Sequence, residues 1–236
     1  MNARAEILQG SGVVETAARE PVVPEIEDDC KNNTWNPEDF AREQIRGLVR
    51  LVFFAGGARP VREVVFSAAE QRLDVASICD QVARSLALET HADVALVDFE
   101  PSLAGVRSIR GPGKENAAIK SRSAQMTVNL WRVPKSAVCE RGGEEERGHR
   151  WSSCLVQLRN EFEYLVIQGP GAGTTSEASL LGQLTDGVVL VLGAHSTRRA
   201  TARKIKEAIE AARSRILGTV LSERTFPIPE SIYRRL

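Results

Sequence analysis

Apolar residues first recur at helical spacing at Phe40, Ile45, Leu48, Val49 and Val52, which predicts a helix from Pro37 to about Phe53. Asn36 can cap it, Pro37 suits the first helical position, and Glu38 and Asp39 suit the positive end of the helix dipole. Gly56, Gly57 and Pro60 end it. From there short apolar runs alternate with amphipathic stretches. The runs Glu63 to Phe66, Val94 to Val97, Thr127 to Val133, Tyr164 to Ile167, Gly187 to Leu192 and Ile216 to Leu221 read as strands. Leu73 to Leu88, Trp151 to Phe162, Glu177 to Leu184 and Thr197 to Arg213 read as helices. The strands are continuous apolar runs rather than alternating ones, as expected when helices cover both faces of a parallel sheet. The expected fold is α/β, a three-layer sandwich with a mostly parallel central sheet.

Composition fits that fold without adding to it. Of 236 residues, 42% are hydrophobic and 26% charged, an ordinary globular balance. Charge is more informative. Lysines and arginines number 31 against 31 aspartates and glutamates, so the chain is neutral, which argues against nucleic acid as a partner. The neutrality is divided, however. Residues 1 to 36 hold seven acids against three bases, a net of −4, and the rest carries +4. The first segment also contains Pro21 and Pro24 and no sustained apolar period. It is expected to be a flexible acidic tail on a domain spanning 37 to 236, able to cover a basic loop of that domain. No apolar run approaches the roughly 18 residues of a membrane span, and no signal-peptide pattern opens the chain, so the expected location is cytoplasmic. Cys30, Cys79, Cys139 and Cys154 form no C-x-x-C pair, and reduced thiols are expected. His91, His149 and His195 have no second ligand at helical spacing, so no metal site is expected.

In open α/β sheets ligands bind beyond the C-terminal ends of the strands, which directs attention to three loops. The first runs from Ser67 to Ala76. A phosphate-binding loop here would need glycines, a lysine and a Ser or Thr for magnesium; this one has neither glycine nor lysine and carries Glu70 and Asp74. Helix-dipole attraction of about 0.3–1 kcal/mol does not outweigh those charges. The second loop begins Asp98-Phe99-Glu100, two acids able to hold a metal or cap a turn. The third, Gln168 to Glu177, is a glycine-rich turn whose Gly169, Gly171, Gly173, Thr174 and Thr175 form a candidate anion site at a helix start. Thr174 and Glu177 have capping-box spacing, which is the structural account of the same residues. A further loop, Ser102 to Ser123, holds Arg107, Arg110, Lys114, Lys120 and Arg122 against Glu115 alone and reads as mobile and basic.

Together these segments resemble the cytoplasmic kinase domain of the capsular and exopolysaccharide tyrosine autokinases, within the deviant-Walker P-loop ATPases. Glu43-Gln44-Ile45-Arg46 resembles the family's Glu-x-x-Arg-x-x-Arg oligomerisation helix, with Val49 at its third position and Arg50 one place late. Val64 to Ala68 resembles the strand and start of Walker A. Val94 to Asp98 resembles the strand of the second acidic motif, and Tyr164 to Pro170 that of Walker B. Asp186 to Val191 and Leu217 to Leu221 resemble the last two strands. Against the family pattern, Asp74 and Val75 stand near the Walker A lysine and its following Thr or Ser, and Gln168 replaces the Walker B aspartate. Tyr233 is the lone tyrosine near the end, where the family carries a cluster.

The resemblance therefore implies a retained fold with vestigial catalytic positions at Asp74, Asp98, Glu100 and Gln168. The expected function is a non-catalytic binding or scaffold component of bacterial exopolysaccharide synthesis and export. It would bind the cytoplasmic part of a membrane polysaccharide copolymerase, or kinase-like subunits including its own copies, through Glu43, Arg46 and Arg50. It would be peripheral to the inner membrane through that partner and would need no cofactor. The alternative is a divergent active ATPase or tyrosine autokinase regulating polysaccharide chain length, with ATP and magnesium as its cofactors: Asp98 and Glu100 would hold the magnesium, Arg or Lys of the basic loop the phosphate, and Tyr233 would be phosphorylated. The C-terminal segment, with Pro227 and Pro229 before Arg234 and Arg235, is expected to start extended.

Overall fold

The computed structural model describes residues 37–56, 59–99, 118–134, 137, 147–173 and 176–223, all within a compact unit spanning Trp35–Leu236. Among the described residues are the helices α1 (Pro37–Phe53), α2 (Val75–Thr90), α3 (Arg147–Glu161), α4 (Glu177–Leu184) and α5 (Arg199–Ala211) and seven strands. The strands are β1 (Glu63–Ala68), β2 (Val94–Asp98), β3 (Ala124–Thr127), β4 (Leu130–Pro134), β5 (Tyr164–Gln168), β6 (Gly187–Gly193) and β7 (Ile216–Ser222). They form one sheet in the order β3-β4-β2-β5-β1-β6-β7, parallel except where β3 runs against β4.

Alternate residues of each strand enter two separate cores. Val64, Phe66, Leu96, Val166 and Val189 pack with Val49, Val52, Phe53, Val82 and Leu86 of α1 and α2. Val65, Val97, Ile167 and Leu190 pack on the other face with Leu155 and Leu158 of α3, Leu181 of α4 and Ile205 and Ile209 of α5. That is the three-layer arrangement, and it explains the unbroken apolar runs: both faces of the central strands are covered.

Two elements depart from expectation. Thr127 to Val133 is not one strand but the turn and second arm of a hairpin, because Val128 and Asn129 form a turn. Asn129 fixes it there by donating from Nδ2 to the carbonyls of Ala87 (2.7 Å) and Ala92 (3.1 Å). A 3₁₀ turn, Ile119–Arg122, occupies the end of the loop read as mobile and basic. There Glu161 accepts from the backbone N–H groups of Ile119 and Lys120 at 2.6 and 2.9 Å. Lys120 pairs with Asp93 at 2.5 Å and lies over the Trp131 ring, 4.6 Å from its centroid. This lysine is thus a structural anchor. Arg107, Arg110 and Lys114 lie outside the described residues, as do the 1–36 segment with Asn36, and Pro227, Pro229, Tyr233, Arg234 and Arg235.

At the N-terminal edge of the sheet, Arg159 of α3 grips the Glu63 carboxylate with two nitrogens and donates to the Leu184 carbonyl at 2.7 Å. Its hydrogen bond to Glu63 holds the Arg159 pKa above its ordinary value. The network ties β1 to α3 and to the end of α4 on the edge away from the candidate site. Buried Cys79 is a free thiol. No helix among the described residues is long and apolar enough to cross a membrane.

Candidate functional site

The site is expected where β1, β2, β5 and β6 end. Parallel register sets Asp98 beside Gln168 and Gln168 beside Phe66, so Asp98 and Gln168 end adjacent strands. Phe99 donates its N–H to the Gln168 carbonyl at 2.9 Å, which continues the β2–β5 pairing one step into the loop. Glu100 lies outside the described residues.

After β1 the chain does not open into a cradle. Ala69 and Leu73 are both buried, at 4% and 6% exposure. Leu73 belongs to the core under α2 and stands against Gly193, at the end of β6. The Ala69 N–H donates to the Val191 carbonyl at 2.9 Å, the Leu73 N–H to Glu70 at 3.3 Å and the Val75 N–H to Leu73 at 3.0 Å. The start of α2 is also taken. Asp74 is its N-cap, and Asp74 Oδ1 accepts from the Ser77 N–H at 2.9 Å. Such a cap contributes about 0.5–2 kcal/mol. Asp74, singled out as a vestigial position, has this structural task, and the expected start of the helix at Leu73 moves to Val75 for the same reason.

The glycine-rich turn after β5 is joined directly to the end of β1. Gly169 donates its N–H to the Phe66 carbonyl at 2.9 Å and Ala172 to Ala68 at 2.8 Å. Ser67, fully buried, donates from Oγ to the Pro170 carbonyl at 2.5 Å. Gly169 allows this approach because a Cβ there would lie 2.6 Å from Val65 Cγ1, and a Cβ at Gly173 would overlap the Ala69 carbonyl oxygen. We call these contacts the clasp. Of the candidate anion residues, then, Gly169 and Gly173 serve close packing onto β1. Gly171 is half-buried in the turn, and Thr174 and Thr175 lie outside the described residues. α4 begins at Glu177, and Ser176 before it makes no side-chain cap bond; the capping-box reading of Thr174 and Glu177 falls partly outside the described residues.

Sequence reasoning missed Ser67, Ala69 and Ala172, the partners of the clasp. It could have found the cap, because an Asp one residue ahead of an apolar helical period is an N-cap signal. On α1, Arg46 lies 3.7 Å from Glu43 within the helix, and Arg50 lies 3.7 Å from Glu89 of α2. All three α1 side chains are more than half exposed or nearly so.

No family model matches the chain. Tyrosine-protein kinase CpsD of Streptococcus agalactiae is 33% identical over 73 residues, 31% of this chain and 32% of that kinase. Tyrosine-protein kinase YwqD of Bacillus subtilis is 30% identical over 61 residues, 26% of each. The chain thus matches about a third or less of the length of these curated relatives, which are bacterial tyrosine-protein kinases. Among solved structures, the VpsO kinase domain superposes with a TM-score of 0.61 at 20% identity, covering 80% of this chain and 98% of that one. This likeness shows the fold, that of P-loop NTPase-like kinase domains.

Proposed function

We propose that this chain is a non-catalytic member of the bacterial tyrosine autokinase group, a cytoplasmic binding or scaffold component of exopolysaccharide or capsule assembly. The observation that carries the reading is the occupied start of α2: Asp74 caps it where a nucleotide-binding relative would present a phosphate cradle. A magnesium–triphosphate group does not fit these residues. Opening the loop would expose Leu73, worth about 1.5–3 kcal/mol when buried, against about 0.3–1 kcal/mol that the helix dipole offers an anion. No lysine stands in the loop to supply the difference, and Gln168 is uncharged at the Walker B-like position. The expected partners are the cytoplasmic part of a membrane polysaccharide copolymerase and kinase-like subunits, and no nucleotide or metal is needed to meet them.

Calorimetric titration of the full chain with ATP and magnesium tests this directly. No saturable heat is expected at ligand concentrations up to millimolar. Micromolar binding that is lost in Asp98→Ala would overturn the proposal in favour of a divergent ATPase or autokinase, a reading favoured by the names of the relatives.

Self-assembly through α1 is part of the same proposal. The Glu43–Arg46 pair is exposed and worth only about 0.2–0.5 kcal/mol within the helix. Arg46→Glu is therefore expected to weaken self-association measured by light scattering while shifting the thermal midpoint by no more than about 2 °C. A chain that is monomeric with and without the change would remove the oligomer.

A further inference from the structure

We infer that the groove between α4 and α5 docks an acidic amphipathic helix of a partner protein. The inference rests on the reading of this chain as a binding component and names the surface and the chemistry it uses. The groove has a volume of about 940 Å³. Its apolar floor includes Leu180 of α4 and Ile205 of α5, and Ala69 and Gly173 of the clasp stand at its head. Along α5 the lining positions are Ala200, Thr201, Lys204, Ile205, Ala208 and Ala212, the spacing of a single helix face. Small residues, among them Ser179, Ala200 and Ala208, alternate along the walls with longer ones, and Ser179 and Thr201 supply polar groups at the margins. Gln183 donates from Nε2 to the Ala212 carbonyl and so joins the two walls at that end of the groove.

Charge selects the occupant. From residue 198 to 215 the chain carries Arg198, Arg199, Arg203, Lys204, Lys206, Arg213 and Arg215 against Glu207 and Glu210. Only Lys204 of these lines the groove. Lys206 is paired with Glu210 at 3.0 Å. Arg198 and Arg199 sit at the positive end of α5, and the N-cap position, Arg198 itself, makes no side-chain cap bond. Cations there oppose the helix dipole, so helix stability does not account for them. Their field instead favours a negatively charged partner approaching α5, with Lys204 as the contact inside the groove. Nucleic acid would use the cations without the apolar floor. A helix with an apolar stripe and an acidic margin uses both.

The test is fluorescence anisotropy of the full chain with a labelled amphipathic peptide of about 18 residues, leucines at i, i+3, i+4 and i+7 and glutamates between. A scrambled peptide of equal charge and a DNA duplex of matching length are titrated beside it. Lys204→Glu and Ala208→Trp, both at exposed positions, change the charge and the space separately, and circular dichroism confirms their fold. Saturable binding is expected, weakened at least tenfold by either variant and by scrambling. Absence of binding, equal binding by both variants, equal binding of the scrambled peptide, or displacement of the peptide by DNA would overturn the docking groove. Such a failure, with the ATP titration still silent, leaves the non-catalytic reading standing. Micromolar ATP binding with intact peptide binding does the reverse.

Discussion

Phe66→Ala is expected to lower the stability of the domain by about 3–5 kcal/mol, which for a unit of this size is a fall of about 6–20 °C in thermal midpoint. Phe66 is fully buried in β1, the strand with β5 on one side and β6 on the other. Its ring enters the core shared with α1 and α2, so truncation empties volume that two helices and three strands surround. Val128→Ala, at a turn position 88% exposed, is the matched control and is expected to change stability by no more than about 0.5 kcal/mol. Because the Phe66 carbonyl, not its ring, accepts from Gly169, the clasp keeps that hydrogen bond in the variant. A midpoint within about 3 °C of the parent chain would mean that β1 does not occupy the centre of the sheet.

The centrality of β1 was half visible in the sequence. Val64, Val65 and Phe66 read as a buried strand because a strand covered on both faces has no polar position to interrupt it. The same logic placed β2, β5 and β6 correctly. It failed at Thr127 to Val133, where apolar content continues through a turn and Asn129, bonded to two carbonyls near the end of α2, marks that turn. The candidate site was legible to a different degree. Missing glycines and lysine after β1 are a property of the sequence, and Asp74 as a cap follows from local spacing. The clasp is not local. Ser67 and Pro170 are separated by 103 positions, and nothing in either segment encodes the other. The glycines at 169 and 173 suggested an anion site because phosphate and a neighbouring backbone make the same demand on a loop, namely no Cβ in the way. Only the register of β1 against β5 decides which of the two stands there.

That equivalence makes Gly173→Val the most discriminating substitution at the site. Any side chain at 173 meets the Ala69 carbonyl, which is backbone and cannot rotate aside, so the turn after β5 must move off β1. Overpacking of this kind costs about 1–3 kcal/mol, and each 1.4 kcal/mol is tenfold in an opening equilibrium. The Ala172 amide, bonded to Ala68, is therefore expected to exchange with solvent roughly ten- to a hundredfold faster, while the amides of β2, on the far side of β5, keep their protection. Unchanged exchange at Ala172 would mean that the turn is not held by this contact. The opened variant also separates two causes of nucleotide exclusion. If the residue set is what excludes nucleotide, ATP and magnesium still give no binding, because the loop after β1 gains neither lysine nor glycine when the turn departs. Were binding to appear at micromolar concentration, closure by the clasp would be the barrier, and the chain would be a nucleotide-binding protein held shut by its own turn.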